Sequence, residues 1–342
     1  MRGERVSYFS DVERDLVVAA RTDLADGVVA LDLVTPNGRA LPAWTPGSHI
    51  DVVLPTAGGE PDERQYSLCG DPDDRQVWRV AVLREDDGRG GSVRLHDEIV
   101  VGQRLRVRGP RNHFAFEVSP GTRYRFVAGG IGITPLRTMV AAAEAAGADW
   151  GLDYSGRSRR TMAFVDELCT AHPERVRIHA SDEGDRLDIA AFAAGIGKDT
   201  AVYACGPRPL LEAVEQAVTD HAERVGVGAA RIDALLHLER FEAREFGDPV
   251  WPDPFEVELA LSGEVVTVRP DQSVLDAIRE QAPEAMVLSS CRRGTCGTCE
   301  VTVLEGEVEH RDSVLTPLEQ ADGAVMMVCV SRAACPRLVL DL

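Results

Sequence analysis

Cys291-Arg292-Arg293-Gly294-Thr295-Cys296-Gly297-Thr298-Cys299, with Cys329 further on, is the stretch on which the reading of this chain turns. The spacing is C-x4-C-x2-C followed by a distant fourth cysteine. Thiolates are strong, soft metal donors. Three on one short loop and a fourth from elsewhere can share a metal centre. Gly294 and Gly297 let the loop curl so that backbone N–H groups approach the sulfurs. A structural zinc site also takes four cysteines, but more often as two separated C-x2-C pairs. Reduced bystander cysteines are the other alternative. Cys69, Cys169, Cys205 and Cys335 are scattered and follow no such spacing.

The flanks of the loop carry a fold. Phe255 to Leu261 alternates apolar and polar residues as a strand does, and Val265 to Val268 reads as its hairpin partner across Ser262-Gly263. Asp271-Gln272-Ser273 offers an N-cap to a short helix from Val274 to Ile278, and Glu300 to Leu304 is strand-like again. Spacing and order together resemble a plant-type ferredoxin of the α+β β-grasp fold, covering residues 253–342. The resemblance implies a 2Fe–2S cluster held by Cys291, Cys296, Cys299 and Cys329.

The whole chain has 342 residues, enough for two or three domains. Its net charge of −19 argues against nucleic-acid binding, which needs clustered Lys and Arg, and suits either a basic partner protein or a solvated acidic surface. No signal peptide and no run of about 18 apolar residues is evident. The expectation is a cytoplasmic chain with reduced thiols and no membrane contact.

Residues 121–241 alternate strands and helices, the pattern of a doubly wound parallel sheet. Tyr124 to Ala128 runs into Gly129-Gly130-Ile131-Gly132-Ile133-Thr134-Pro135 and then a helix from Leu136 to Ala146. Such a turn lets a dinucleotide's pyrophosphate approach backbone N–H groups and the helix dipole, with Pro135 suited to the first helical turn. Further strands are expected at Trp150–Tyr154, Val176–Ala180 and Thr200–Ala204; the last ends in Cys205-Gly206-Pro207.

These two turns resemble the pyridine-nucleotide domain of the ferredoxin–NADP reductase superfamily. By that resemblance Gly130, Gly132, Thr134, Pro135, Gly206 and Pro207 line the nucleotide, and Cys205 lies near the nicotinamide. Taken alone, Cys205 reads equally as a small buried residue closing a strand. Superfamily members often read the adenosine ribose at the place of Ser155-Gly156-Arg157-Ser158-Arg159-Arg160. Ser158 and Arg159 are candidates there, and the basic residues favour a 2′-phosphate unless they are merely solvated. The cofactor is therefore NAD(P)H.

Residues 1–120 hold short strands between Gly and Pro turns, which suggests an antiparallel β-barrel. Arg64-Gln65-Tyr66-Ser67 matches the R-x-Y-S pattern of flavin barrels in the same superfamily. Arg64 can pair with a flavin phosphate, Tyr66 can pack on the isoalloxazine, and the Ser67 hydroxyl can bond the ring nitrogen that accepts hydride. Gly90-Gly91-Ser92 can cradle the phosphate, through the Gly91 backbone and the Ser92 hydroxyl. His96 reads as structural.

Barrel, nucleotide domain, a linker at 242–252 and the C-terminal ferredoxin-like domain together resemble the phthalate dioxygenase reductase and vanillate demethylase reductase family. The resemblance implies FMN (FAD as the alternative), and electron flow from NAD(P)H through flavin and cluster to a separate oxygenase. That acceptor is expected to be a Rieske non-haem iron oxygenase, or alternatively a haem-thiolate monooxygenase. It also implies a monomer, and places Phe241 of Leu236-His237-Leu238-Glu239-Arg240-Phe241 near the flavin; Phe241 reads as well as a core residue at a strand end. The competing classes are a non-enzymatic iron–sulfur carrier or redox sensor, and a zinc-stabilised interaction protein.

Overall fold

The computed structural model describes residues 12–55, 62–228, 231–232, 234–243 and 246–342. The chain divides between Glu239 and Arg240 into two compact units.

The first unit opens with six antiparallel strands: β1 (Glu13–Ala25), β2 (Val28–Val34), β3 (His49–Leu54), β4 (Asp62–Ser67), β5 (Trp78–Leu83) and β6 (Arg104–Arg111). They lie in the order β4-β3-β6-β1-β2-β5, and a bridge from Leu68 to Val80 joins the two edges into a barrel. Closure leaves no open edge to be paired by another chain. Leu31, Ile50, Leu54, Leu68 and Trp78 fill the interior. Helix α1 (Gly91–Asp97) follows β5. The R-x-Y-S segment lies within β4, which is longer and more polar than strand propensity alone suggests. Its register with β3 explains this: Asp51 pairs with Gln65 and His49 with Ser67. Asp51 is fully buried; it receives the Arg111 guanidinium and a hydrogen bond from Gln65 Nε2 at 3.0 Å. Glu63 receives Arg108 at 2.6 Å nearby.

The same unit continues as β7 (Arg123–Gly129), α2 (Ile133–Ala145), β8 (Asp149–Gly156), α3 (Val165–Ala171), β9 (Val176–Ala180), α4 (Ile189–Ala194), β10 (Thr200–Cys205), α5 (Arg208–Arg224) and β11 (Leu236–Glu239). All five strands are parallel, in the order β11-β10-β7-β8-β9. Strand β10 is buried at every position, as a central strand covered on both faces must be. The order reverses between β7 and β10, which creates the crevice where such sheets bind ligands. Barrel and sheet share one core: Phe114 and Phe116, past β6, pack on Tyr203 with ring centroids 5.7 and 5.1 Å away.

The second unit holds a mixed sheet in the order β13-β12-β18-β14-β16, from β12 (Phe255–Leu259), β13 (Val265–Val268), β14 (Glu300–Glu305), β16 (Val325–Met327) and β18 (Arg337–Leu340). A small ribbon pairs β15 (Val308–Glu309) with β17 (Arg332–Ala333). Phe255, Val257 and Leu259 alternate inward along β12 and meet Leu275 and Ile278 of α6 (Val274–Gln281). The Ser273 side chain caps that helix by accepting from the Asp276 N–H. A last helix, α7 (Pro317–Asp322), precedes β16.

Truncating one partner of a buried ion pair leaves an uncompensated charge, at about 3–5 kcal/mol. Asp51→Ala should therefore lower the urea-unfolding free energy of the first unit by about that amount. Replacing the pair together, Asp51→Leu with Arg111→Met, should recover most of it. A single variant as stable as the parent would show that the pair is not structural.

Candidate functional site

In the barrel, Arg64 and the start of α1 are in contact. A Cβ added to Gly91 would lie 2.7 Å from Arg64 Nε, so only glycine lets the guanidinium cross this backbone. Helix α1 begins at Gly90 in the left-handed region without a side-chain cap, leaving its first N–H groups to another acceptor. Arg89 stands 3.9 Å from Asp62, which also holds the Arg64 guanidinium. Two guanidinium groups and uncapped N–H groups around one acid fit a phosphate. Ser92 is occupied differently from the expectation: its Oγ accepts the Glu85 N–H at 3.0 Å and so closes the preceding turn. Tyr66 packs against the barrel core, and burial pushes its phenol up, so it stays protonated. Ser67 is buried at the end of β4.

At the crevice the two glycine turns touch. A Cβ on Gly206 would lie 2.8 Å from Gly129 Cα, and one on Gly132 would lie 2.2 Å from the Cys205 carbonyl oxygen. The carboxyl ends of β7 and β10 are thus brought to backbone–backbone contact, and α2 and α5 both start there. Pro135 is buried in the first turn of α2. Thr134 is buried too, and its hydroxyl donates to the Ile131 carbonyl at 2.9 Å; it holds the turn's shape. Tyr154 donates to the Gly130 carbonyl at 3.1 Å. Ser155, at the end of β8 opposite Gly129, carries a buried Oγ without a hydrogen-bond partner, an orphaned group at the edge of the crevice that sequence reasoning did not single out. The residues present fit a dinucleotide.

The stretch expected to meet the adenosine ribose is less basic than its sequence. Arg159 pairs with Glu183 at 3.1 Å and Arg160 with Asp26 at 2.7 Å, while Arg157 is exposed. Ser158 caps the turn that follows by accepting from the Arg160 N–H. The Cys205 thiol points at Glu239 Oε2, 3.7 Å away. Burial, then the Glu239 charge, pushes the thiol well above its ordinary value, so it is a neutral group. Burial also raises the half-buried Glu239 to about 8. Glu239 was missed because it ends a short apolar strand, where the neighbouring Phe241 drew attention. Phe241 itself lies past the end of β11 and is 40% exposed, so the closing strand is shorter than expected.

In the second unit Cys291, Cys296, Cys299 and Cys329 are all buried, each less than 9% exposed. The loop points its amides at sulfur. Arg293 N–H lies 3.3 Å and Thr295 N–H 3.5 Å from Cys291 Sγ, and Cys291 N–H lies 3.5 Å from Cys296 Sγ. Thr298 Oγ1 is 3.1 Å from Cys296 Sγ. Arg292, Gly294 and Gly297 take positive φ of 54°, 69° and 71°, the curl that makes this possible. Cys291 neighbours Cys296 and Cys329, and Cys329 neighbours Cys299. Thiol neighbours hold Cys291 well below the usual range and push Cys329 well above it, because a second adjacent anion needs a cation to balance it. Among the described residues no three His, Cys, Asp or Glu side chains are disposed about one ion. The sulfur contacts run Cys296–Cys291–Cys329–Cys299, so the loop and the distant cysteine share one cradle.

A flavin barrel, a dinucleotide crevice and a four-cysteine cradle define an electron-transferring reductase. A family model described as a 2Fe-2S iron-sulfur cluster binding domain matches residues 257–334. The chain is 43% identical to "Phenoxybenzoate dioxygenase subunit beta" of Ectopseudomonas oleovorans, over 93% of this chain and 94% of that one. It is 34% identical to a solved phthalate dioxygenase reductase, with a TM-score of 0.65, covering 96% of this chain and 98% of that one. An intact type IV self-sufficient cytochrome P450 monooxygenase is 44% identical with a TM-score of 0.85; all of this chain is covered, and it spans 43% of that longer chain. The chain belongs to the phthalate dioxygenase reductase family. It is an NAD(P)H-dependent oxidoreductase with a C-terminal 2Fe–2S domain.

Gly206→Ala should cost about 1–3 kcal/mol by overpacking and raise the KM for NAD(P)H, because the added methyl meets immovable backbone. Thermal melting with steady-state kinetics checks both. Glu239 supplies a pH test. Unfolded, it ionises at its ordinary 4.5; folded, near 8. Between those values the folded state binds the extra proton, so stability falls as pH rises across that window. Partial exposure makes the fall modest. Glu239→Gln should lose less Tm than the parent between pH 5.5 and 8.5; an equal loss would contradict the assignment.

Proposed function

We propose that the chain is the reductase of an oxygenase system, taking reducing equivalents from NAD(P)H through FMN and a 2Fe–2S cluster to a separate oxygenase. The observation that carries this is the cysteine cradle with its amides aimed at sulfur, in a chain that also builds the dinucleotide crevice. A flavin held in the barrel would supply the chemistry that accepts a hydride from the nicotinamide and passes electrons on singly.

The chain's own residues bind and position. Arg64 and Arg89 hold a flavin phosphate, aided by the backbone of Gly91, while Ser92 keeps the loop shut behind it. Ser67 offers its hydroxyl to the flavin ring, and Tyr66 walls it. The Gly129–Pro135 and Cys205–Pro207 turns receive the pyrophosphate, and a Cβ at Gly132 or Gly206 would force these two turns apart. Cys205, kept protonated, is an uncharged surface beside the nicotinamide, and Glu239 holds a proton near it. A 2′-phosphate would rely chiefly on Arg157, since Arg159 and Arg160 of the same stretch are already paired with Glu183 and Asp26. The proposed domain limits are 1–120, 121–241, a linker at 242–252, and 253–342. A cytoplasmic setting suits the free thiols of the described structure. No helix among the described residues is long and apolar enough to cross a membrane.

The acceptor is read as a Rieske-type oxygenase. A haem-thiolate monooxygenase is the second reading, favoured by the 44% identity to the self-sufficient P450 chain. Cys296→Ser decides the relay. It should abolish one-electron reduction of cytochrome c while NAD(P)H still bleaches the flavin; cytochrome reduction that survives at the parental rate would refute the path through the cluster.

A further inference from the structure

Between β15 and α7 lies a buried acid. Asp312 is fully buried. Its Oδ2 accepts the N–H groups of Val314 at 3.0 Å and Leu315 at 2.7 Å. Its Oδ1 accepts the Ser331 hydroxyl at 3.4 Å and faces His310 Nδ1 at 3.7 Å. Burial alone would raise this carboxyl, but the His310 ring and the two backbone N–H groups outweigh it, and it sits below its ordinary value. It is a permanent anion at neutral pH. The nearby cations are engaged elsewhere: Arg311 with Glu309 at 2.7 Å, Arg332 with the Gln272 carbonyl at 2.8 Å.

The segment around Asp312 touches both parts of the cradle. Ser313 N–H donates to the Gly294 carbonyl at 2.8 Å, in the middle of the cysteine loop. A Cβ on Gly294 would lie 3.0 Å from Asp312 Cα and 2.6 Å from Val330 Cγ2, so the loop backbone, the Asp312 backbone and the Val330 side chain converge there. Ser331, two residues past Cys329, accepts the Arg311 N–H at 3.1 Å as well as donating to Asp312. One carboxylate thus sits between the loop bearing three cysteines and the segment bearing the fourth. Net charge around a cluster is one of the quantities that set its reduction potential.

We propose that Asp312 is a positioning residue of the iron–sulfur site, fastening the 291–299 loop to the Cys329 segment and, as a fixed negative charge, lowering the cluster's reduction potential. The inference rests on the reading that these cysteines hold a 2Fe–2S cluster. An anion buried beside the cluster opposes the added electron, while the hydrogen bonds that fasten it keep the charge from relaxing away. His310, whose Nδ1 faces the carboxylate at 3.7 Å, can turn a ring N–H dipole toward that charge.

Iron and acid-labile sulfide are first measured in the parent protein. Their absence would refute the cluster reading itself, and this inference with it. With the cluster present, Asp312→Asn keeps an acceptor oxygen for Val314 and Leu315 and removes the charge. An EPR-monitored redox titration at pH 8 should show a positive shift, on the order of tenfold in the reduction equilibrium, or about 59 mV for one electron. His310→Phe removes the moderating ring and should shift the midpoint in the negative direction. A merely structural segment would move both variants the same way or neither, and either result overturns the proposal. Should Asp312→Asn purify without iron, His310→Phe decides alone: a negative shift supports the proposal and a zero or positive one overturns it. Loss of iron from both variants would reduce the segment to a folding element, and overturns it as well.

Discussion

The close approach of two peptide chains at the carboxyl ends of β7 and β10 governs the nucleotide half of this molecule. Gly129, Gly132 and Gly206 bring backbone against backbone at distances no side chain permits. The contact exists because the sheet order reverses at that point, so adjacent parallel strands send their following helices to opposite faces. The same reversal opens the crevice and aims the starts of α2 and α5 into it, while the β10–β11 pairing sets Cys205 beside Glu239. Removing the glycines' freedom would close the crevice and separate the strands at once.

Much of this was readable in advance, for identifiable reasons. The cysteine loop was legible because ligand spacing and loop glycines are both written locally. Strands β7 and β10 were legible because a largely apolar run ending at glycine is what a central parallel strand requires. Strand β4 was harder. Its residues are polar, and their place in the barrel is set by partners on β3 and β6 that only the register supplies. Ser92 and Thr134 were anticipated as ligand contacts, and what the sequence did not show is that each hydroxyl also bonds within the turn that contains it. Glu239 and Asp312 escaped notice altogether. A buried carboxylate is defined by its neighbours across the fold, and nothing in a local stretch of sequence marks it.

Charge is handled differently in the two units. In the barrel, buried acid meets buried guanidinium, Asp51 with Arg111, and the pair is neutral overall. Around the cysteines, anionic sulfur is met chiefly by backbone N–H dipoles, and the flanking Arg292 is drawn to Asp276. Dipoles stabilise a negative site without cancelling its charge, which suits a centre whose charge must change by one unit at each turnover. The ribose stretch follows a third course, with arginines answered by Glu183 and Asp26 at the surface.

The shared core of Phe114, Phe116, Tyr124, Phe126 and Tyr203 joins the barrel to the nucleotide sheet across the position where a sequence-based boundary falls. The cluster unit has a core of its own. For recombination this makes the two junctions unequal. A splice near residue 240 exchanges a self-contained module and leaves every buried aromatic with its partners. A splice near residue 120 divides one hydrophobic interior between two parents, and hybrids made there must repack it before they can fold.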